Sequence, residues 1–87
     1  MKNEKYLPLG TVVLLKNAKK RLMIIGFMIK TEESDEVYDY MGCIYPEGVL
    51  TTSESLVFNH DDILHVFNVG YQDEESINYH DKLKSLL

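Results

Sequence analysis

The side chains best suited to chemistry gather late in the chain, at Asn59-His60-Asp61-Asp62, with His65 five positions after His60 and His80-Asp81 further on. Imidazoles and carboxylates bind metals and carry protons. The HExxH pattern, however, needs two histidines four apart on one helical face with a Glu between them. A plainer reading accounts for the same residues. Asn59 caps a single helical turn, and Asp61 and Asp62 sit at its positive end. The expectation is no bound metal and no cofactor. The one cysteine, Cys43, lies in a strand pattern between Gly42 and Ile44 with no cationic neighbour in sequence. It reads as a small buried hydrophobe rather than a reactive thiol. Ser34, Ser53 and Ser55 stand in loops, and no GxSxG elbow accompanies them. The glycines at 10, 26, 42, 48 and 70 are isolated, so no phosphate-cradling loop forms. Asp35, Glu36, Asp39 and Glu47 could converge for acid–base work, but a solvated acidic face accounts for them more simply. The residues compose no catalytic set, and the expectation is a non-enzymatic protein.

The elements that would position these groups are short. Eighty-seven residues make one domain with a small core, and a 45% apolar fraction suits a folded protein. Thr11–Leu15, opened by Pro8 and Gly10, reads as a first strand. Lys16–Lys20 is a polar hairpin loop with Asn17 as turn former. Arg21–Lys30 is a second strand, apolar nearly throughout, with a bend or bulge expected at Gly26. Thr31–Glu36 is an acidic loop. Val37–Tyr45 is a third strand, with Tyr38, Tyr40, Gly42 and Ile44 on one face and Val37, Asp39, Met41, Cys43 and Tyr45 on the other. Gly42 is expected to pair near Gly26. Tyr45-Pro-Glu-Gly48 is a turn, and Thr51–Ser55 a polar turn region. Leu56–Phe58 and Ile63–Val69 are strands around the Asn59–Asp62 turn. Asp73–Leu87 is an amphipathic helix, capped by Asp73 and ended near Lys82 and Lys84, with Ile77, Tyr79, His80, Leu83, Leu86 and Leu87 on one half.

These elements predict a single α+β domain spanning 1–87. It is a small antiparallel SH3-like β-barrel, or a strongly bent sheet, of about five strands with a C-terminal helix. An open sheet packed on the helix is the alternative.

Charge is uneven. Residues 1–30 hold seven Lys/Arg against one acid, for +6; residues 31–62 hold nine acids and no Lys or Arg; residues 63–87 hold four acids and two lysines, giving the total of −5. An acidic total argues against nucleic-acid binding, which depends on an electropositive face. The basic turn Lys16, Lys19, Lys20 and Arg21 is the one feature that would support an SH3-like nucleic-acid-binding or regulatory module. The longest apolar run, Leu22–Ile29, is far short of the ~20 residues that span a bilayer. The start of the chain has no long apolar stretch, and a lone cysteine suits a reducing compartment. The chain is expected to be cytoplasmic, without membrane insertion.

Six tyrosines and no tryptophan are a marked bias. Tyrosine supplies contact area with a polar tip. Tyr38, Tyr40, Tyr45 and Tyr71, with Leu83 and Leu86 of the helix, form the candidate protein-binding surface.

Leu7-Pro-Leu-Gly-Thr-Val-Val-Leu-Leu15, Leu22-Met-Ile-Ile-Gly26, Tyr38-Asp-Tyr40, Tyr45-Pro-Glu-Gly48, Phe58-Asn-His-Asp-Asp-Ile63 and Val69-Gly-Tyr-Gln-Asp-Glu-Glu75 together resemble a family of small domains of unknown function. That family is encoded beside LXG-type polymorphic toxins in type VII secretion loci of Gram-positive bacteria. The resemblance implies a non-enzymatic cytoplasmic chaperone or adaptor that binds such a toxin before export. Immunity to the neighbouring toxin is the alternative. The resemblance brings no catalytic or ligand residues with it.

Overall fold

A computed structural model describes residues 6–33, 35–51 and 56–86. Ser34, Ser53, Ser55 and Leu87 lie outside the described residues. The elements run β1 (Val12–Leu15), β2 (Leu22–Lys30), β3 (Val37–Ile44), β4 (Leu56–Phe58), a single 3-10 turn (His60–Asp62), β5 (Ile63–Asn68) and α1 (Glu74–Ser85). The strands form one antiparallel sheet in the order β4-β3-β2-β1-β5. Its two edges do not meet. The barrel expected from the bent second strand is therefore replaced by the open sheet with a C-terminal helix.

The bend at Gly26 is a one-residue bulge. Ile24 pairs with Gly42, but Gly26 pairs with Met41 and Phe27 with Tyr40, so Ile25 has no opposite number. Side chains alternate along a strand. Leu22 and Ile24 face the core, and strict alternation would turn Phe27 away from it. The bulge shifts the phase by one and brings Phe27 back beside the Tyr40 ring, at 6.2 Å. Gly42 serves the same face. A Cβ there would meet the Phe58 ring at 3.0 Å and the Leu22 Cβ at 3.6 Å.

The core gathers Tyr6, Val13, Leu22, Ile24, Tyr40, Phe58 and, from α1, Leu83. Val12, Met23 and Cys43 occupy the paired positions on the opposite face, where Cys43 is a buried free thiol. α1 is capped reciprocally. Asp73 Oδ1 accepts the Ser76 N–H, and Ser76 Oγ accepts the Asp73 N–H, both at 2.9 Å. The helix packs through His80 and Leu83 and leaves Ile77, Tyr79 and Leu86 exposed. Only part of the predicted apolar half is thus used.

Tyr40 is fully buried and belongs to the core rather than to the surface expected from its sequence. Its hydroxyl accepts the Leu7 N–H at 3.1 Å and lies 2.8 Å from His60 Nδ1. The Leu7 N–H and the His60 ring nitrogen thus both bond the buried phenol oxygen and satisfy it. Burial pushes the Tyr40 hydroxyl up to about 12. Tyr40→Phe leaves the Leu7 N–H without its acceptor, a loss of about 1–3 kcal/mol. The melting temperature should fall by roughly 5–15 °C. The wild-type chain should also lose stability as pH rises above the ordinary phenol value of about 10. The unfolded chain then releases a proton that the folded chain holds until about 12. Tyr40→Phe should flatten that alkaline slope, and an unchanged slope would assign it to another group.

Candidate functional site

The crossing of two chain segments builds the candidate site. The linker from β5 to α1 passes over the segment that leads into β1. Gly70 donates its N–H to Thr11 Oγ1 at 3.0 Å, and Thr11 is fully buried. A Cβ on Gly70 would fall on the Leu9 carbonyl oxygen, and would lie 2.8 Å from the Leu9 carbonyl carbon and 3.0 Å from that of Gly10. Only glycine lets these backbones come so close. The crossing sets Leu9 beside Tyr71 and fixes where α1 begins.

A groove of about 690 Å³ opens beside this crossing. Leu9, Ile25, Gly26 and Phe27 line one side, and Tyr71, Asp73, Glu75, Ser76, Tyr79 and His80 line the other. Its surface is mainly apolar and aromatic. Phe27 meets His80 edge-on at 4.9 Å and Tyr79 at 6.2 Å.

β5 is a second open surface. It lies at the sheet edge and is exposed along all but its first residue. Leu64 is 62% exposed, Phe67 50% and Val69 58%. A helix about 10 Å across covers roughly two strands spaced ~4.8 Å apart. The ring contacts of α1 with the sheet are to Phe27 of β2, and β5 is left exposed. Its outer side chains contact one another, with the His65 and Phe67 rings 4.5 Å apart.

The tyrosines and leucines singled out from the sequence are dispersed. Tyr40 and Leu83 are core residues and present no contact surface. Tyr38 is half-buried on β3, on the same side as Tyr40. Tyr45 is half-buried beneath the Arg21 guanidinium, 5.1 Å from its ring centroid. Tyr71, 80% exposed, stands at the groove. Leu86 is exposed at the end of α1. These residues form no single patch. Leu9, Ile25 and Tyr79 line the groove; of these only Tyr79, on the apolar half of the helix, is marked by the sequence. Finding the other two requires knowing that β1 stops short of Ile25.

The groups suited to chemistry are held by structural contacts. His60 bonds Tyr40, His65 meets Phe67 edge-on, and His80 is buried against Phe27 and Tyr6. Asp39 is buried, and its Oδ2 accepts the His60 backbone N–H at 2.8 Å. Among the described residues no group of three or more His, Cys, Asp or Glu is placed to hold a metal ion. The basic turn is partly occupied as well. Lys20 Nζ lies 2.9 Å from Glu47, which lowers the Glu47 carboxyl below its ordinary value, and Arg21 reaches from Tyr45 to Phe67. Among the described residues no helix is long and apolar enough to cross a membrane.

An open five-stranded antiparallel sheet with one C-terminal helix, a partly apolar groove and an uncovered edge strand defines a small α+β domain. The chain belongs to the family described as Domain of unknown function (DUF4176), whose model matches residues 6–79. No curated protein and no solved structure matches it.

The site carries two stability predictions. Gly70→Ala should cost about 3 kcal/mol, because backbone must move to admit the methyl group. A melting temperature lowered by roughly 10–20 °C is expected. Gly48→Ala has open space around it and only its φ of 80° against it, so its cost should be about 1 kcal/mol. Equal losses for the two would remove the close approach as the cause. His80 is held below the ordinary imidazole value, chiefly by burial, with Asp81 opposing. As pH falls through ~6.5 the unfolded chain gains a proton that the folded chain resists. Denaturant titrations should therefore show stability falling on that acid side, and His80→Phe should lessen the fall.

Proposed function

We propose that this chain is a non-enzymatic protein-binding module, a cytoplasmic accessory protein that holds an LXG-type toxin before its export by type VII secretion. The observation that carries the binding part of this reading is β5. The run Ile63–Val69 contains no Lys, Arg, Asp, Glu or Pro, and it is a largely exposed apolar strand at a sheet edge. Sheet proteins ordinarily blunt such an edge with charge, proline or a covering element. An edge left apolar and uncovered suits strand addition. There the partner's backbone completes the ladder, and alternate side chains choose the sequence. The family resemblance supplies the partner class. Holding an aggregation-prone segment until export is what such an edge would do for a secreted effector.

Co-purification with the neighbouring toxin, full length and in fragments, tests this directly. Capture of a non-catalytic, export-directed segment is the expected result. Capture of the toxic domain with loss of toxicity would make the chain an immunity protein instead. Leu64→Lys with Phe67→Lys adds edge charge at exposed positions and should lower capture at least tenfold without changing the circular dichroism spectrum. Undiminished capture by that variant would remove β5 as the binding edge, and no capture of any fragment would overturn the reading.

A further inference from the structure

We propose that the groove between β2 and the first turns of α1 binds an extended segment of a protein partner in which apolar side chains alternate with basic ones. This rests on the protein-binding reading and adds to it a second seat and the chemistry of the segment that fills it. β1 pairs with β2 only at Leu22 and Met23, and two further bonds (Gly10 N–H to Ile24 O at 2.8 Å, Ile24 N–H to Thr11 O at 2.9 Å) end the contact. Beyond Ile24, among the described residues, β2 has a strand neighbour on the β3 side alone. Ile25, Gly26 and Phe27 are consecutive, yet all three line the groove. In a strand, consecutive side chains point to opposite faces. Three in a row border one cavity when the strand turns its bulged edge toward it. The groove therefore offers a strand edge for backbone pairing beside apolar walls for side chains. Its volume of about 690 Å³ lies within the usual range for a bound ligand.

Charge selects the occupant. Asp73 and Glu75 are exposed and line the helix side, and none of the groove's lining residues is Lys or Arg. The helix N-terminus contributes roughly half a positive charge there, against two full negative ones. The wall is therefore net negative and disfavours phosphates and acidic segments. Tyr71 and Tyr79 are both exposed beside these acids and add faces on which a guanidinium or ammonium can rest. A segment with apolar residues toward Leu9 and Phe27 and Lys or Arg toward Asp73 and Glu75 satisfies each wall.

The test uses the full chain, labelled with nitrogen-15, and two blocked peptides, Val-Lys-Val-Thr-Val-Lys-Val and Val-Glu-Val-Thr-Val-Glu-Val. The lysine peptide should shift the amides of Ile25, Gly26, Phe27 and Tyr71 and bind at least tenfold more tightly than the glutamate peptide. Asp73→Asn keeps a good N-cap residue. Combined with Glu75→Gln, it should cut that preference below threefold while changing the melting temperature by no more than a few degrees. Equal affinity for the two peptides, no shifts at millimolar peptide, or a preference that survives the double variant would overturn the inference. Shifts confined to β5 would also overturn it, while leaving the edge-strand reading of function standing.

Discussion

The fold depends on one sealed hydroxyl. Tyr40 lies on β3 between its two neighbours, opposite both Phe27 on β2 and Phe58 on β4. Its ring is also packed edge-on against Tyr6 at 5.8 Å. The hydroxyl at the far end of that ring ties down two pieces of chain that no ladder holds, the entry segment at Leu7 and the turn at His60. A phenylalanine would fill the ring's space and lose both of these bonds, leaving the turn held by Asp39, whose Oδ2 accepts the His60 N–H. A buried phenol is stable only when its oxygen is satisfied, so here one residue sets both packing and chain path. The same burial that raises its proton affinity keeps the hydroxyl protonated near neutral pH.

From that anchor the open surfaces follow geometrically. The bulge at Ile25 keeps Phe27 on the Tyr40 side, and the contact of β2 with β1 ends at Ile24. The Gly70 crossing then brings the linker and the helix start over the gap. One twelve-residue helix, ~18 Å long, cannot cover five strands, so whatever lies outside its footprint stays exposed. The groove and β5 are both consequences of one helix spread over too much sheet.

Much of this is legible in the sequence, for definite reasons. The β-branched run at Thr11–Leu15, the turn residues around Asn17 and Gly48, and the Asp73 cap with its following acids place the elements within one or two residues of their observed ends. The face assignment along Val37–Tyr45 also matches the pairing, with Tyr40 and Gly42 toward Phe58 and Leu56. Gly26 marks the bulge as expected. Alternation reveals which residues share a face, but not which face is covered. Tyr40 and Tyr38 therefore read alike, although one is fully buried and the other is not. Sheet closure is lost for a related reason. A bend in one strand permits a barrel, but closure requires the edges β4 and β5 to reach each other, and no local pattern records that distance.

The exposure of β5 would be a liability in isolation, and the distribution of charge bears on why it is tolerable. The chain carries a net −5, which opposes close approach of two copies. The acids nearest the strand stand at its ends, Asp61 and Asp62 before it and Asp73 to Glu75 after it, and none stands within it. In an antiparallel self-pairing those acidic ends would lie alongside each other, and like charges there would disfavour the pair. A partner without acids at those positions meets no such penalty. Charge at its ends thus disfavours pairing of this strand with its own copies, although the strand itself carries none.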